Sequence, residues 1–311
     1  MSAVKPENPV SSTALDPAGK AVNLESQIGE AETFRDLMKK MARENKLAVV
    51  SAVVILLFVL AAIFAPILTP YSYTDMDLMN RLSSPSAAHL FGTDEGGRDI
   101  LTRMLFGSRV SLLAGIVPTI LSMVFGSWLG LLAGYHGGIT DSVIMRLADI
   151  LLALPSMLLA MVIMYTLGNG LFNVFLTLAL VNWASVARIV RSRTLQLKEA
   201  EFVESARVIG VKRSLIILRH ILPNCVPTLI VLFTLNVPSS ILTESSLSFL
   251  GLGVQPPDAS WGLMINAGRQ YLYNAPWLCF FPSLAIMLIV LAFNFLGDGL
   301  RDVLDPHLKD Q

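Results

Sequence analysis

Residues 47–68 read LAVVSAVVILLFVLAAIFAPIL and contain no charged side chain. A bilayer offers no water to backbone N–H and C=O groups, so a run of about 20 apolar residues crosses it as a helix whose hydrogen bonds all close internally. This run has the length to do so. A cleavable leader is not expected, because a long, mostly polar stretch precedes the run and the run itself is too long.

The same pattern recurs along the chain. Ser111–Tyr135, Val143–Leu167, Leu171 to about Val190, about Cys225 to Leu247, and Leu278–Leu296 predict five further spans. Gly168-Asn169-Gly170 supplies the turn between the third and the fourth. With 54% hydrophobic and 15% charged residues and a mean hydropathy of +0.63, the composition agrees, since soluble domains carry roughly 25% charge. The expected fold class is an all-α integral membrane protein of six transmembrane helices, which puts both termini on one side.

Lys and Arg decide which side, because they accumulate in cytoplasmic loops. Arg35, Lys39, Lys40, Arg43 and Lys46 precede the first run, and Arg301 and Lys309 follow the last. Arg188, Arg191, Arg193, Lys198, Arg207, Lys212, Arg213 and Arg219 cluster between the fourth and fifth. Opposite them stand Arg81, Arg98, Arg103, Arg109 and Arg269. Both termini and the 191–223 connection are therefore expected to be cytoplasmic. Residues 1–33, rich in Ser, Pro, Gly, Ala and Glu, read as a disordered cytoplasmic tail. Phe34, Leu37, Met38 and Met41 fall at helical spacing beside the basic residues, so 34–46 reads as an amphipathic interfacial helix or as an extension of the first span. Residues 47–110 comprise the first span and an outer loop, 111–300 a five-helix core, and 301–311 a short cytoplasmic tail. Trp261 and Trp277 suit an interfacial belt.

Several function classes are excluded. A net charge of zero argues against a nucleic-acid partner. No GxxxxGK[ST] phosphate loop occurs, PAGKAV lacking both the spacing and the hydroxyl, and there is no HExxH or Cys-x-x-Cys. His89, His136, His220 and His307 have no metal-site spacing. Cys225 and Cys279 open successive spans on opposite sides, too far apart to bridge. No catalytic residue, metal site or bound cofactor is therefore expected. A carrier driven by an ion gradient usually keeps ionisable residues mid-membrane. Here Glu244 lies towards the outer end of the fifth span, while Arg146, Asp149 and Arg188 lie towards cytoplasmic ends. An energy source within the chain is not expected, although a secondary transporter is the rival class.

The stretch EFVESARVIGVKRSLIILRHILPN, 201–224, explains how energy would arrive. Glu199, Glu201 and Glu204 favour the N-terminal end of a helix. Gly210 ends it, and a second helical segment from Val211 runs to Pro223, which breaks the ladder. Phe202, Val203, Ala206 and Ile209 form an apolar knob with a charged rim, suited to a groove on a soluble partner, or else to resting against lipid.

Glu204-Ser205-Ala206, then Gly210, then Leu222-Pro223 resembles the EAA loop of ABC importer permeases, departing from it at Ser205 and His220. FGTDEGGRDILTRMLFGSRVSL (91–112), SLSFLGLGVQPPDASWG (246–262) and FNFLGDGLRDVLDP (293–306) resemble the C-type permease of dipeptide and oligopeptide importers. The resemblance spans about residues 35–308. It implies the type I ABC importer permease fold in the bacterial inner membrane and a heterodimer with a second permease. It also implies two cytoplasmic ATPase subunits, which carry ATP and Mg, and an extracytoplasmic substrate-binding protein. Nickel, glutathione, opine and oligosaccharide importers share these motifs, so the substrate stays open.

In this reading Glu204, Ser205, Ala206, Arg207, Gly210, Leu222 and Pro223 couple the chain to the ATPase. Arg207, Lys212 and Arg213 face its acidic groups or are ordinary cytoplasmic charge. Asn236, Ser239, Ser240 and Thr243 recur at i, i+3, i+4 and i+7 and form one polar stripe, lining either a translocation path or a helix–helix contact. Asp94, Glu95, Arg98, Asp99 and Trp261 are candidates for binding-protein contact, or for a structural cap over the spans. Pro155 and Pro238 would kink their helices.

Overall fold

A computed structural model describes residues 13–15, 21–23 and 45–304. Thr13–Leu15 (β1) pairs antiparallel with Ala21–Asn23 (β2). The proposed interfacial segment as far as residue 44 and the tail beyond Leu304 lie outside the described residues. So does most of 1–33.

The other regular elements are helices. Asn45 caps α1 (Lys46–Leu68) by accepting the N–H of Ala48 at 3.1 Å. Val50, Leu57 and Ile63 point outward, while Ala48, Ala62 and Ala65 are buried and Ile55, Phe58 and Val59 pack against the core. An apolar helix with one packed face and large apolar side chains exposed on the other suits contact with lipid. The long helix α2 (Ile100–His136) starts well before the apolar run at Ser111, because Asp99 caps it by accepting the Thr102 N–H at 2.8 Å.

The seam between α2 and α5 (Leu171–Lys198) holds the core together. Gly126, Gly130 and Gly134 recur every fourth residue, on one face of α2. A Cβ at Gly126 would sit 2.6 Å from the Trp183 carbonyl oxygen, and one at Gly130 2.6 Å from that of Ala187. At Gly134 it would stand 2.7 Å from the Cβ of Thr194. Two backbones approach this closely in a membrane only where side chains are absent.

The third predicted span is not one straight helix. It comprises α3 (Gly138–Ala153) and α4 (Ser156–Leu167), which meet at 95°. Pro155 disfavours helical geometry at Leu154, which is extended at φ −91°, ψ 142°. The described residues thus hold five helices long and apolar enough to cross a membrane, or six if the bent pair counts as one. At one end of the pair, Arg191 grips Asp141 with both guanidinium branches, and Arg188 meets Asp149 at 2.6 Å. These ion pairs fasten α3 to α5.

Beyond α5 come α6 (Glu201–Val208), α7 (Arg213–Ile216), α8 (Leu222–Phe249), α9 (Trp261–Gly268) and α10 (Trp277–Leu304). Pro223 does not end a helix, as the sequence had suggested. The chain winds from α7 through a π turn, Ile217–Ile221, straight into α8. The Leu222 N–H reaches back to the Ile217 carbonyl, and this wider turn makes room for a proline ring that has no N–H to donate.

The start of α1 and the end of α10 lie together, since a Cβ on Gly299 would be 2.5 Å from the Ala48 Cβ. The α6–α7 connection packs on Leu131 and Tyr135, near the end of α2. These features mark the elbow end of the bundle. The 69–99 and 250–276 segments cover the opposite, cap end.

Candidate functional site

Glycine sets the geometry of the elbow. Gly210 stands at φ +80°, a conformation that costs other residues strain, and turns the chain from α6 into α7. Val203 and Ala206 face inward, into a cluster with Leu131, Tyr135, Val186, Val190, Ile216 and Ile221. Ala206 is only 4% exposed. The outward knob is therefore not the one expected from the sequence: Val203 and Ala206 brace α6 from beneath, and Phe202, Val208 and Ile209 form the bare surface. Ile209 is 79% exposed. Glu204, Ser205, Arg207 and Gly210 share the solvent side, with Pro223 also exposed and Leu222 half-buried. An apolar tip on a short helix, braced from below and ringed by Glu201, Glu204 and Arg207, forms a rigid plug.

The polar stripe on α8 divides. Ser240 is fully buried at a three-helix junction, where its hydroxyl pairs with Thr119 of α2 at 3.2 Å and with the Asn182 amide of α5 at 3.5 Å. It is a packing residue, and the translocation role expected of it does not fit. Ser239 is exposed, and Asn236 and Thr243 are half-exposed. The Thr243 hydroxyl bonds back to the Ser239 carbonyl at 2.8 Å, so it competes little for outside partners.

At the cap end, four of the five residues expected to touch a binding protein are inside. Asp94 is 4% exposed and accepts from the N–H groups of Gly96 and Arg98 and from the Arg98 guanidinium at 2.7 Å. Arg103 approaches the same carboxylate at 3.3 Å and donates to the Tyr73 carbonyl at 3.2 Å. Asp99 caps α2 and meets His89 Nδ1 at 3.0 Å. Trp261, 1% exposed, packs edge-on to Phe58 and donates its indole N–H to the Met104 carbonyl at 3.2 Å. Burial removes Trp261 from an interfacial belt as well. Glu95 alone remains partly open, holding Arg98 at 2.8 Å. Charged residues read as surface because each is costly to bury alone, but here two arginines and an aspartate neutralise one another under cover. The loop is a structural cap. In its more exposed part, Asp77 caps a short turn, and hydrogen bonds from the Asn80 side chain and the Met79 N–H hold its carboxyl below the usual range.

Two further features escaped sequence reading. Glu244 is fully buried, with Ser248 donating at 2.7 Å and Ser245 at 3.4 Å. Ser248 also receives the Val254 N–H at 3.4 Å, which fastens the cap to the end of α8. The serines of TESSLS were the available clue, because they place donors within one turn of the acid. The second feature is the glycine seam of α2. Its four-residue repeat is plain in the sequence, but nothing in sequence says which helix it meets.

A bundle of long apolar helices with a braced elbow at one end and a buried polar cap at the other defines a multi-pass membrane protein. Comparison with known proteins agrees. Residues 126–310 match the family described as binding-protein-dependent transport system inner membrane component, and the chain belongs to that family. Residues 33–85 match the N-terminal transmembrane domain of oligopeptide transport permease C. The dipeptide transport system permease protein DppC of Alkalihalophilus pseudofirmus is 46% identical over 285 residues, covering 92% of this chain and 93% of that protein. The oligopeptide transport system permease protein OppC of Bacillus subtilis is 42% identical over 276 residues, covering 89% and 90%. The glutathione transport system permease protein GsiD of Pectobacterium atrosepticum is 46% identical over 279 residues, covering 89% and 92%.

Proposed function

We propose that this chain is the permease subunit of an ATP-driven importer of dipeptides or oligopeptides in the bacterial inner membrane. It pairs with a second permease, docks on two cytoplasmic ATPase subunits that hold ATP and Mg, and receives substrate from an extracytoplasmic binding protein. In this reading the bent α3–α4 pair counts as one of six spans of a type I permease fold, and the elbow end, with both termini, faces the cytoplasm. The chain itself performs no chemistry.

The observation that carries the proposal is the elbow, braced within and bare without. A plug rigidly seated on α2, α5 and α7 passes on displacement instead of absorbing it. Helix runs from Arg213 to Phe249 without a break, so a push at α6 reaches the Ser240 junction with α2 and α5, and beyond it Glu244 under the cap. Closure of the ATPase pair would thereby tilt the spans between inward-open and outward-open arrangements. Exposed Ser239, with Asn236 beside it, is the part of the stripe left to face the path.

The relatives named for dipeptide and oligopeptide transport support the peptide reading. The relative named for glutathione transport, equally similar, supports glutathione as a second substrate class. Uptake by proteoliposomes containing the chain with its partner subunits tests both. Labelled dialanine should enter only with ATP and the binding protein, and an ionophore should not stop it. Uptake of glutathione alone would select the second reading, and uptake that survives without ATP but collapses with the ionophore would make the chain a secondary transporter.

A further inference from the structure

A recess of about 390 Å³ opens at the elbow end, lined by Tyr135, His136, Lys198, Arg207, Arg213 and the backbone around Gly210. Three permanent cations and an imidazole converge on it from three elements, the ends of α2 and α5 and the elbow. No acid lines it. Among the described residues, no carboxylate lies within 4.0 Å of the charged nitrogens of Lys198, Arg207, Arg213 or His136. Lys198 is half-buried and Arg207 and Arg213 are exposed, whereas the buried Arg98 and Arg103 and the half-buried Arg191 each hold a carboxylate. What Lys198 and Arg207 do hold is each other's surroundings. The Lys198 ammonium lies over the Tyr135 ring at 5.9 Å, and Arg207 donates to the Lys198 carbonyl at 3.4 Å, which keeps both heads at the recess.

We propose that this recess binds a phosphate group. Guanidinium and ammonium donors gathered in one concavity match a phosphate's several acceptor oxygens, and Arg makes paired hydrogen bonds to it. The neighbouring surface says where that phosphate comes from. Ile139, Leu215 and Leu218, on the adjoining α3, α7 and π turn, are exposed, and apolar surface beside a basic recess suits a phosphate that carries acyl chains. Basic pockets at the cytoplasmic ends of membrane helices hold anionic headgroups in this way. The occupant is therefore the headgroup of an anionic phospholipid, seated against the elbow, where it would steady Gly210 and α6. A free phosphate shares the chemistry and is the alternative source. This assignment rests on the cytoplasmic orientation proposed above for the elbow end, and not on the transported substrate.

The test uses the full-length chain with its co-purifying subunits in nanodiscs, comparing pure phosphatidylcholine with phosphatidylcholine doped with phosphatidylglycerol. Phosphatidylglycerol should raise the melting temperature and survive as a bound adduct in native mass spectrometry. Lys198→Gln with Arg213→Gln should weaken that retention about tenfold or more, at about 1 kcal/mol for each charge removed. Arg213→Gln alone, at an exposed position, guards against misfolding and should weaken it part-way. Lys212→Gln, exposed but outside the recess, should leave it unchanged. Inorganic phosphate added to phosphatidylcholine discs should give little shift; a shift there, lost in the double variant, would keep the phosphate site but make its source soluble. Retention that falls as much in Lys212→Gln as in the double variant reflects diffuse surface charge and overturns the proposal. Protection that depends on the ATPase subunits and not on phosphate would assign the recess to an acidic protein segment and overturn it equally.

Discussion

Asp94 holds more of the cap than any other side chain, since Arg98, Arg103 and two backbone N–H groups converge on it. Its removal leaves the buried Arg103 guanidinium without a charge partner and Arg98 with Glu95 alone. Breaking such a pair from one side typically costs about 3–5 kcal/mol, so Asp94→Ala should lower the melting temperature of the detergent-solubilised protein markedly, and a neutral result would mean the cap is not under tension from these charges. At the α2–α5 seam the argument is steric. Gly130→Leu must push an isobutyl group into the Ala187 carbonyl and Val190, and overpacking of this kind costs about 1–3 kcal/mol. Val124→Leu, at an exposed position on the same helix, should be neutral in the same melting assay.

The elbow is the element on which the proposed function turns. Gly210→Ala forces a Cβ into left-handed geometry, at a cost of about 1–2 kcal/mol, and should reduce ATP-dependent uptake by re-aiming α6. Ile209→Asp adds charge to an exposed tip and leaves the inward brace of Val203 and Ala206 alone. It should therefore preserve folding and the α2–α5 core but lose the ATPase subunits on co-purification; unchanged co-purification would show that the tip is not the docked surface. The elbow was legible in sequence because a lone glycine divided two charged helical segments. Which way its apolar residues face was not. An eight-residue amphipathic helix serves either the chain beneath it or a partner above it, and only the packing of Val203 on Tyr135 and Ile216 distinguishes the two. Pro223 misled for a related reason. Here the widened π turn before the ring spares it the lost hydrogen bond and the clash, so the helix runs on.

Across the whole molecule, the apolar runs placed the long helices and their order, because bilayer thickness leaves few alternatives, while the count is five or six according to whether the bent pair is one span. The break at Leu154–Pro155 was marked by the proline, but its 95° angle accompanies two separate attachments to α5, α3 by ion pairs to Arg188 and Arg191 and α4 by packing Ala160 and Met164 on Val174 and Leu178. Charge in the cap was misplaced for the opposite reason. Residue type predicts exposure one group at a time, whereas Asp94, Arg98 and Arg103 are stable inside only as a set. The proposed function makes these parts a lever: a plug at one end, a continuous helix through the middle, and a buried serine–glutamate tie to the cap at the other. The most direct test introduces Ser205→Cys, which stands on the solvent side of α6, and exposes native membranes to a short bifunctional thiol-to-amine crosslinker with and without ATP. The account predicts an adduct between this chain and an ATPase subunit, with a yield that changes on nucleotide binding. A cysteine that reacts freely with maleimide yet never crosslinks to an ATPase, in either state, would contradict it.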